Sequence, residues 1–379
     1  MPVFFRPDWT RREFLSAAAR LAAAGAGAAA GLSALTAACA GPERREAAYY
    51  DRLPGKKIQC HVCPLDCILE DGQTCFCRTR TNEGGRLYNR AFDRPCLLSV
   101  DPIEKTPFAH VLPGTQLLSV AAGGCNLRCL YCQNWEQSQA KPDEVRVLDV
   151  SREEVIAGTQ EKKCVGLCYT YTEPVAYLDY MRAIAEEARK RGLKNFVATA
   201  AFVKEQPIRD LAREVDGFCV SIKGWRDEVY EKVCGIKRAP VLDALRVIKE
   251  EKRWLELVYV VIPTYNDDPK EVDGMAKWVR ENLGADTPLH FARFFPEYKM
   301  TDLPRTPVPA LDACVSAARD AGLRYVYVTN VAPHEANHTV CADCGETVIR
   351  RLGFKVLENR AKGGKCPKCS HALPGIWTA

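Results

Sequence analysis

Between residues 117 and 329 the chain repeats one pattern, a short apolar run followed by a stretch with helical periodicity. The β-like runs fall at 117–121, 165–171, 196–200, 217–222, 255–262, 289–295 and 325–329. Helical stretches separate them at 151–162, 175–191, 205–214, 227–234, 241–252, 269–282 and 308–321. In 175–191, Tyr177, Leu178, Met181, Ile184, Ala185 and Ala188 recur at three- and four-residue steps, which keeps one helix face apolar. Runs such as Val258-Tyr259-Val260-Val261-Ile262 lack polar alternation, as do strands of a parallel sheet covered on both sides. About six such units predict an α/β fold, a partial (β/α)6 barrel of TIM type. A chain of 379 residues builds such a core without disulfide staples. The formal charge of +5 is too mild to call for a nucleic-acid partner, and none is expected.

Cysteine is the compositional outlier, with 19 residues. In a chain of this size the first reading is metal. The cysteines concentrate in three zones, which divide the chain into a Cys-rich module at 46–112, the barrel at 113–332 and a zinc-ribbon-like module at 333–379. The central zone, Gly123-Gly124-Cys125-Asn126-Leu127-Arg128-Cys129-Leu130-Tyr131-Cys132, follows the first barrel strand. Three thiols, Cys125, Cys129 and Cys132, are one short of a closed tetrahedral zinc site. They suit three irons of a cubane cluster whose fourth iron stays open. At the C-terminus, Cys341, Cys344, Cys366 and Cys369 form two C-x2-C knuckles, and four thiolates close a structural zinc shell. A rubredoxin-like iron centre uses the same ligands. The N-terminal zone offers Cys60, Cys63, Cys67 and Cys77, with Cys75 or His61 as substitutes, for zinc or an auxiliary iron–sulfur cluster. Cys96, Cys164, Cys168, Cys219, Cys234 and Cys314 read as small buried hydrophobes. His334 and His338, after the last strand, read as a solvated loop with substrate-facing residues as the alternative.

Residues 1–40 read as a leader, set apart from the fold. Thr10-Arg11-Arg12-Glu13-Phe14-Leu15 is like a twin-arginine signal, followed by an uncharged Ala-rich stretch. A membrane anchor is the alternative, and Cys39 ends a degenerate lipobox. The expectation is synthesis and cluster loading in the cytoplasm, then export or membrane association.

These motifs resemble the radical S-adenosylmethionine (SAM) enzymes, and most closely the AmmeMemoRadiSam-system branch related to pyruvate formate-lyase activating enzymes. The resemblance rests on the central cysteine loop, Cys60-His61-Val62-Cys63-Pro64-Leu65-Asp66-Cys67, Gly84-Gly85-Arg86-Leu87-Tyr88, Asp101-Pro102-Ile103-Glu104-Lys105 and Cys132-Gln133-Asn134-Trp135-Glu136. Further matches run from Arg293 to Met300 and from Leu357 to Trp377. It implies a 4Fe-4S cluster on Cys125, Cys129 and Cys132, with SAM chelating the open iron. One electron then cleaves SAM, and a 5′-deoxyadenosyl radical abstracts hydrogen from a substrate. It further implies that Tyr131 contacts the adenine and that Glu173 meets the SAM ammonium. It selects Cys77 in the N-terminal zone because Arg80 follows. A low-potential donor such as ferredoxin or flavodoxin is implied, as is activase-like action on a partner protein. Glu173 beside Pro174 also reads as a helix N-terminal carboxylate, and Lys223 either orients SAM or substrate or snorkels from a strand end.

Several positions depart from the family pattern. Ser221 stands where an aspartate is expected, Thr264 and Thr329 where glycines are, and Phe295 where a histidine is. With the leader, they motivate a competing reading, an exported iron–sulfur or zinc-binding electron-transfer protein on an altered barrel.

Overall fold

The computed structural model describes residues 45–378. The expected leader, with Arg11, Arg12 and Cys39, lies outside them. Among the described residues no helix is long and apolar enough to cross a membrane. All described cysteines are free thiols.

The chain opens with a three-stranded antiparallel meander, β1 (Tyr50–Arg52), β2 (Ile58–Cys60) and β3 (Ile68–Leu69), and a hairpin, β4 (Arg80–Glu83) and β5 (Arg86–Asn89). The main sheet has eight strands: β6 (Pro95–Pro102), β7 (Gln116–Ala122), β8 (Gly166–Tyr169), β9 (Lys194–Thr199), β10 (Gly217–Ile222), β11 (Trp254–Val261), β12 (Leu289–Arg293) and β13 (Val326–Thr329). Their spatial order is their sequence order, so β6 and β13 are the two edges. β6 pairs antiparallel with β7, and every later pair is parallel. A second antiparallel sheet, β14 (Thr339–Val340), β15 (Thr347–Leu352) and β16 (Lys355–Asn359), follows.

Because successive parallel neighbours are joined by crossovers of one hand as a rule, the crossover helices share one face. The period-two alternation of the strands then sorts their side chains into separate cores. Leu118, Val120, Leu167, Val197, Val220, Leu257 and Phe291 pack with the helical Met181, Ile184, Leu211, Ile248 and Met275. Their alternates Leu117, Cys168, Phe196, Cys219, Val258 and Ala292 share a second core with Ile103 and Phe108. Six successive strands can send side chains into one such cluster only if the sheet curls around it.

Helix bounds follow local chemistry. Ser151 accepts from the Glu154 amide and Glu154 reaches back to the Ser151 amide, a capping box that starts Arg152–Glu161. Asp268 caps Pro269–Asn282, with proline at its first turn. The expected stretch at 175–191 splits into a 3-10 turn, Pro174–Tyr177, and the α-helix Leu178–Lys190. The stretch at 227–234 becomes a short α turn and a π-helical turn, Tyr230–Cys234.

The end of the sheet formed by the N-termini of its parallel strands is plugged. Glu256, fully buried on the inner face, accepts from Ala109 N at 2.8 Å, His110 N at 2.9 Å, Trp254 Nε1 at 3.0 Å and His290 Nε2 at 2.7 Å. His110 engages Tyr327 Oη and the Pro374 carbonyl, each at 2.6 Å. The tail is held by reciprocal backbone bonds, Leu112 N to Ile376 O and Ile376 N to His110 O, both 2.8 Å. Burial holds the His110 imidazole down at about 4. At the β13 edge, buried Arg351 from β15 pairs with Glu104 at 3.5 Å and donates to the Ala109 carbonyl at 2.7 Å.

Candidate active site

The loop carrying Cys125, Cys129 and Cys132 leaves the C-terminal end of β7. Gly124 has φ +102°, and a Cβ there would stand 2.4 Å from Thr79 Cγ2 and 2.7 Å from the Cys77 carbonyl oxygen. Only glycine permits that approach. It brings Cys125 N to the Cys77 carbonyl at 3.1 Å. On its other side the loop is zipped to the π-helical turn, Arg128 N to Cys234 O and Leu130 N to Val233 O, both 2.9 Å. Asn126 Nδ2 donates to the Phe202 carbonyl at 2.8 Å. Arg128 lies over the Phe76 ring at 3.5 Å.

Ser138 Oγ meets Cys132 Sγ at 3.2 Å, and the Leu127 amide donates to Cys125 Sγ at 3.3 Å. Cys234 is fully buried, as expected of a small hydrophobe, and its side chain beside Cys129 holds that thiol down at about 7. Burial raises Cys125 and Cys132. The Cys125, Cys129 and Cys132 sulfurs do not crowd within 4.8 Å of one another, whereas those of the C-terminal quartet do. Three spread thiols braced by hydrogen bonds and a glycine-made cradle fit a multi-iron cluster better than one tetrahedral ion.

Tyr131 is buried, edge-on to Phe294 with ring centroids 6.4 Å apart. Lys223, at the end of β10, places Nζ 5.9 Å from the Tyr131 ring centroid and has no ion pair among the described residues. Burial works to lower its pKa, but Cys129, Cys234, Glu173 and Cys132 outweigh it and hold the ammonium form. Glu173, in the loop after β8, accepts from Thr199 Oγ1 at 2.5 Å, Val175 N at 3.1 Å and Ala200 N at 2.8 Å. It thus caps the 3-10 turn, and a carboxylate has about four acceptor positions, so one remains. Burial raises its pKa against those bonds. Ser221 is half-buried at the same strand end, two residues along from the inward Cys219. Thr264 takes φ +69°, the left-handed conformation suited to the glycine expected there.

In the C-terminal zone, Cys341, Cys344, Cys366 and Cys369 gather with all four sulfurs within 4.8 Å. The Cys341–Cys369 and Cys344–Cys366 sulfurs are 3.6 Å apart, the edges of a single-ion shell. In the N-terminal zone, Cys60, Cys63, Cys67, Cys75 and Cys77 line one cavity with Arg80 and Asn126. Cys77 Sγ meets Thr79 Oγ1 at 3.1 Å, and burial pushes the Cys63 thiol up to about 12. His61 is no ligand substitute: its two ring nitrogens meet Asp66 and Asp51, each at 3.0 Å. The other histidine pair is also structural. His334 caps the turn at Glu335–Asn337, and His338 Nδ1 accepts from Arg351 N at 3.1 Å.

Residues 120–277 match the Radical SAM superfamily. The chain is 39% identical over 331 residues to Uncharacterized protein MJ0808 of Methanocaldococcus jannaschii, covering 87% of this chain and 98% of that protein. It is 26% identical over 177 residues to pyruvate formate-lyase 1-activating enzyme of Escherichia coli, covering 45% of this chain and 70% of the enzyme. A solved radical SAM methyltransferase from Sphaerobacter thermophilus superposes with a TM-score of 0.45 at 17% identity, over 62% of this chain and 70% of that one. The chain therefore belongs to one family with the M. jannaschii protein, and it carries a domain of the radical SAM superfamily.

Proposed function

We propose that this chain is a radical SAM enzyme of the AmmeMemoRadiSam branch, built on a partial (β/α)6 barrel, that removes hydrogen from a partner protein. The observation that carries the reading is the three-thiol loop at the C-terminal strand ends, the face of such folds that carries chemistry. When bound, a 4Fe-4S cluster with SAM on its open iron supplies the electron that cleaves the sulfonium and the radical that takes the hydrogen. Cys125, Cys129 and Cys132 would hold the cluster, with Ser138 orienting the Cys132 thiol. Tyr131 and Phe294 would wall the site against water. Glu173 would offer its remaining acceptor position to the SAM ammonium, and the Lys223 ammonium, without an ion pair among the described residues, can meet a carboxylate. The E. coli relative is named for activating another protein, pyruvate formate-lyase, and that supports a protein substrate. The C-terminal quartet would hold a structural zinc.

The test is anaerobic reconstitution, dithionite reduction and addition of SAM, followed by chromatography for 5′-deoxyadenosine. Product from the parent chain and none from Cys125→Ala is expected. A reduced cluster that leaves SAM intact would overturn the reading and favour an electron-transfer protein.

A further inference from the structure

We propose that the five-cysteine cavity beside the SAM loop is a second iron–sulfur site rather than a zinc site. Cys60, Cys63, Cys67, Cys75 and Cys77 line one cavity, whose wall Val62, Leu65, Val175 and Ala176 complete. The same molecule supplies the measure of a single-ion site, since the C-terminal sulfurs already stand at 3.6 Å edges. Among the described residues no other three such ligand atoms come mutually within 4.8 Å. No three of the cavity's five sulfurs stand mutually within 4.8 Å, and neither do those of Cys125, Cys129 and Cys132. A zinc ion would have to draw them together, whereas a cluster spreads its thiolates over separate irons.

A second observation concerns charge. Arg80 is buried, with Nη2 on Asp179 at 2.6 Å and Nη1 on the Ala48 carbonyl at 2.8 Å. Its Nε is buried without a partner, and the side chain lines the cavity. A lone buried N–H beside five sulfurs is costly unless an electron-rich acceptor receives it, and cluster sulfur is such an acceptor. The hydrogen bond from Cys125 N to the Cys77 carbonyl sets this site directly against the SAM loop. Cys60, Cys67 and Cys77 would be ligands, with Cys63 or Cys75 as the fourth.

The experiment is metal and sulfide analysis of the full chain after anaerobic reconstitution with iron and sulfide in the presence of zinc. The parent chain should carry about eight irons and eight sulfides, two 4Fe-4S clusters. A Cys125→Ala/Cys129→Ala/Cys132→Ala variant should keep about four of each and, after dithionite, an electron paramagnetic resonance signal that SAM does not perturb. Adding Cys60→Ser and Cys77→Ser should remove that iron, and Cys63→Ser against Cys75→Ser should identify the fourth ligand. About four irons in the parent chain with a second equivalent of zinc would overturn the proposal. So would a triple variant that keeps its C-terminal zinc, the sign of a folded chain, but no iron. The iron count is read without SAM cleavage, so it stands or falls apart from the enzymatic reading.

Discussion

At the C-terminal strand ends Glu173 and Lys223 keep bonding capacity in hand, while at the opposite end Glu256 and His110 have theirs filled. Glu173 accepts three donors and has room for another, and Lys223 lacks an ion pair among the described residues. Glu256, at the other end, accepts four, and both nitrogens of His110 are engaged. A buried carboxylate with all positions filled is a fastener, whereas one with a vacancy can still receive a ligand. One end should therefore govern turnover and the other stability.

The largest effect should come from Cys125→Ala, which should abolish 5′-deoxyadenosine formation while costing about 1 kcal/mol or less in urea unfolding. A collapse of stability instead would break the contrast. Next, Glu256→Ala should cost about 3–5 kcal/mol by the same assay, because it strands His290 and three N–H donors in the core. Product formed per folded chain should stay within twofold of the parent.

Acid should act through the fastened end. His110 is held at about 4, below its unfolded value near 6.5, so between those values the unfolded chain binds the extra proton. Stability is then full above about pH 6.5 and falls by up to about 3 kcal/mol toward pH 4. Glu256, held below the usual carboxylate range, adds loss in the same direction at lower pH. Urea titrations at pH 7 and 4.5 should show His110→Gln with a flatter dependence than the parent. The smallest effect belongs to the reactive end: Thr264→Gly should raise stability by about 1 kcal/mol by relieving a β-branched residue at φ +69°.

The parallel strands were legible because each is a buried apolar run, and 217–222, 205–214 and 269–282 fall on the expected residues. Six crossovers join seven parallel strands, one strand more than six repeated units contain. The antiparallel β6 escaped notice because prolines bound it and Ser99 and Asp101 interrupt its apolar run. Of the candidate site, the three loop cysteines and the C-terminal quartet announce themselves by spacing. Cys234 does not, because it meets the loop through a π-helical turn with no local signature. Glu256 looks like a polar interruption of a strand, and its partner His290 lies 34 residues away. The gathering of Cys75 with the other four cysteines depends on how β4 and β5 fold back, which spacing does not encode.

The tail contact has a consequence for biosynthesis. His110 closes on Pro374 across 264 positions of sequence, and Val111 bridges to Ile376. A ribosome would have delivered every strand of the main sheet before that last plug was available. Until then the nascent polypeptide would hold an uncovered glutamate beneath an unsealed floor, so completion of folding must wait until these residues leave the exit tunnel.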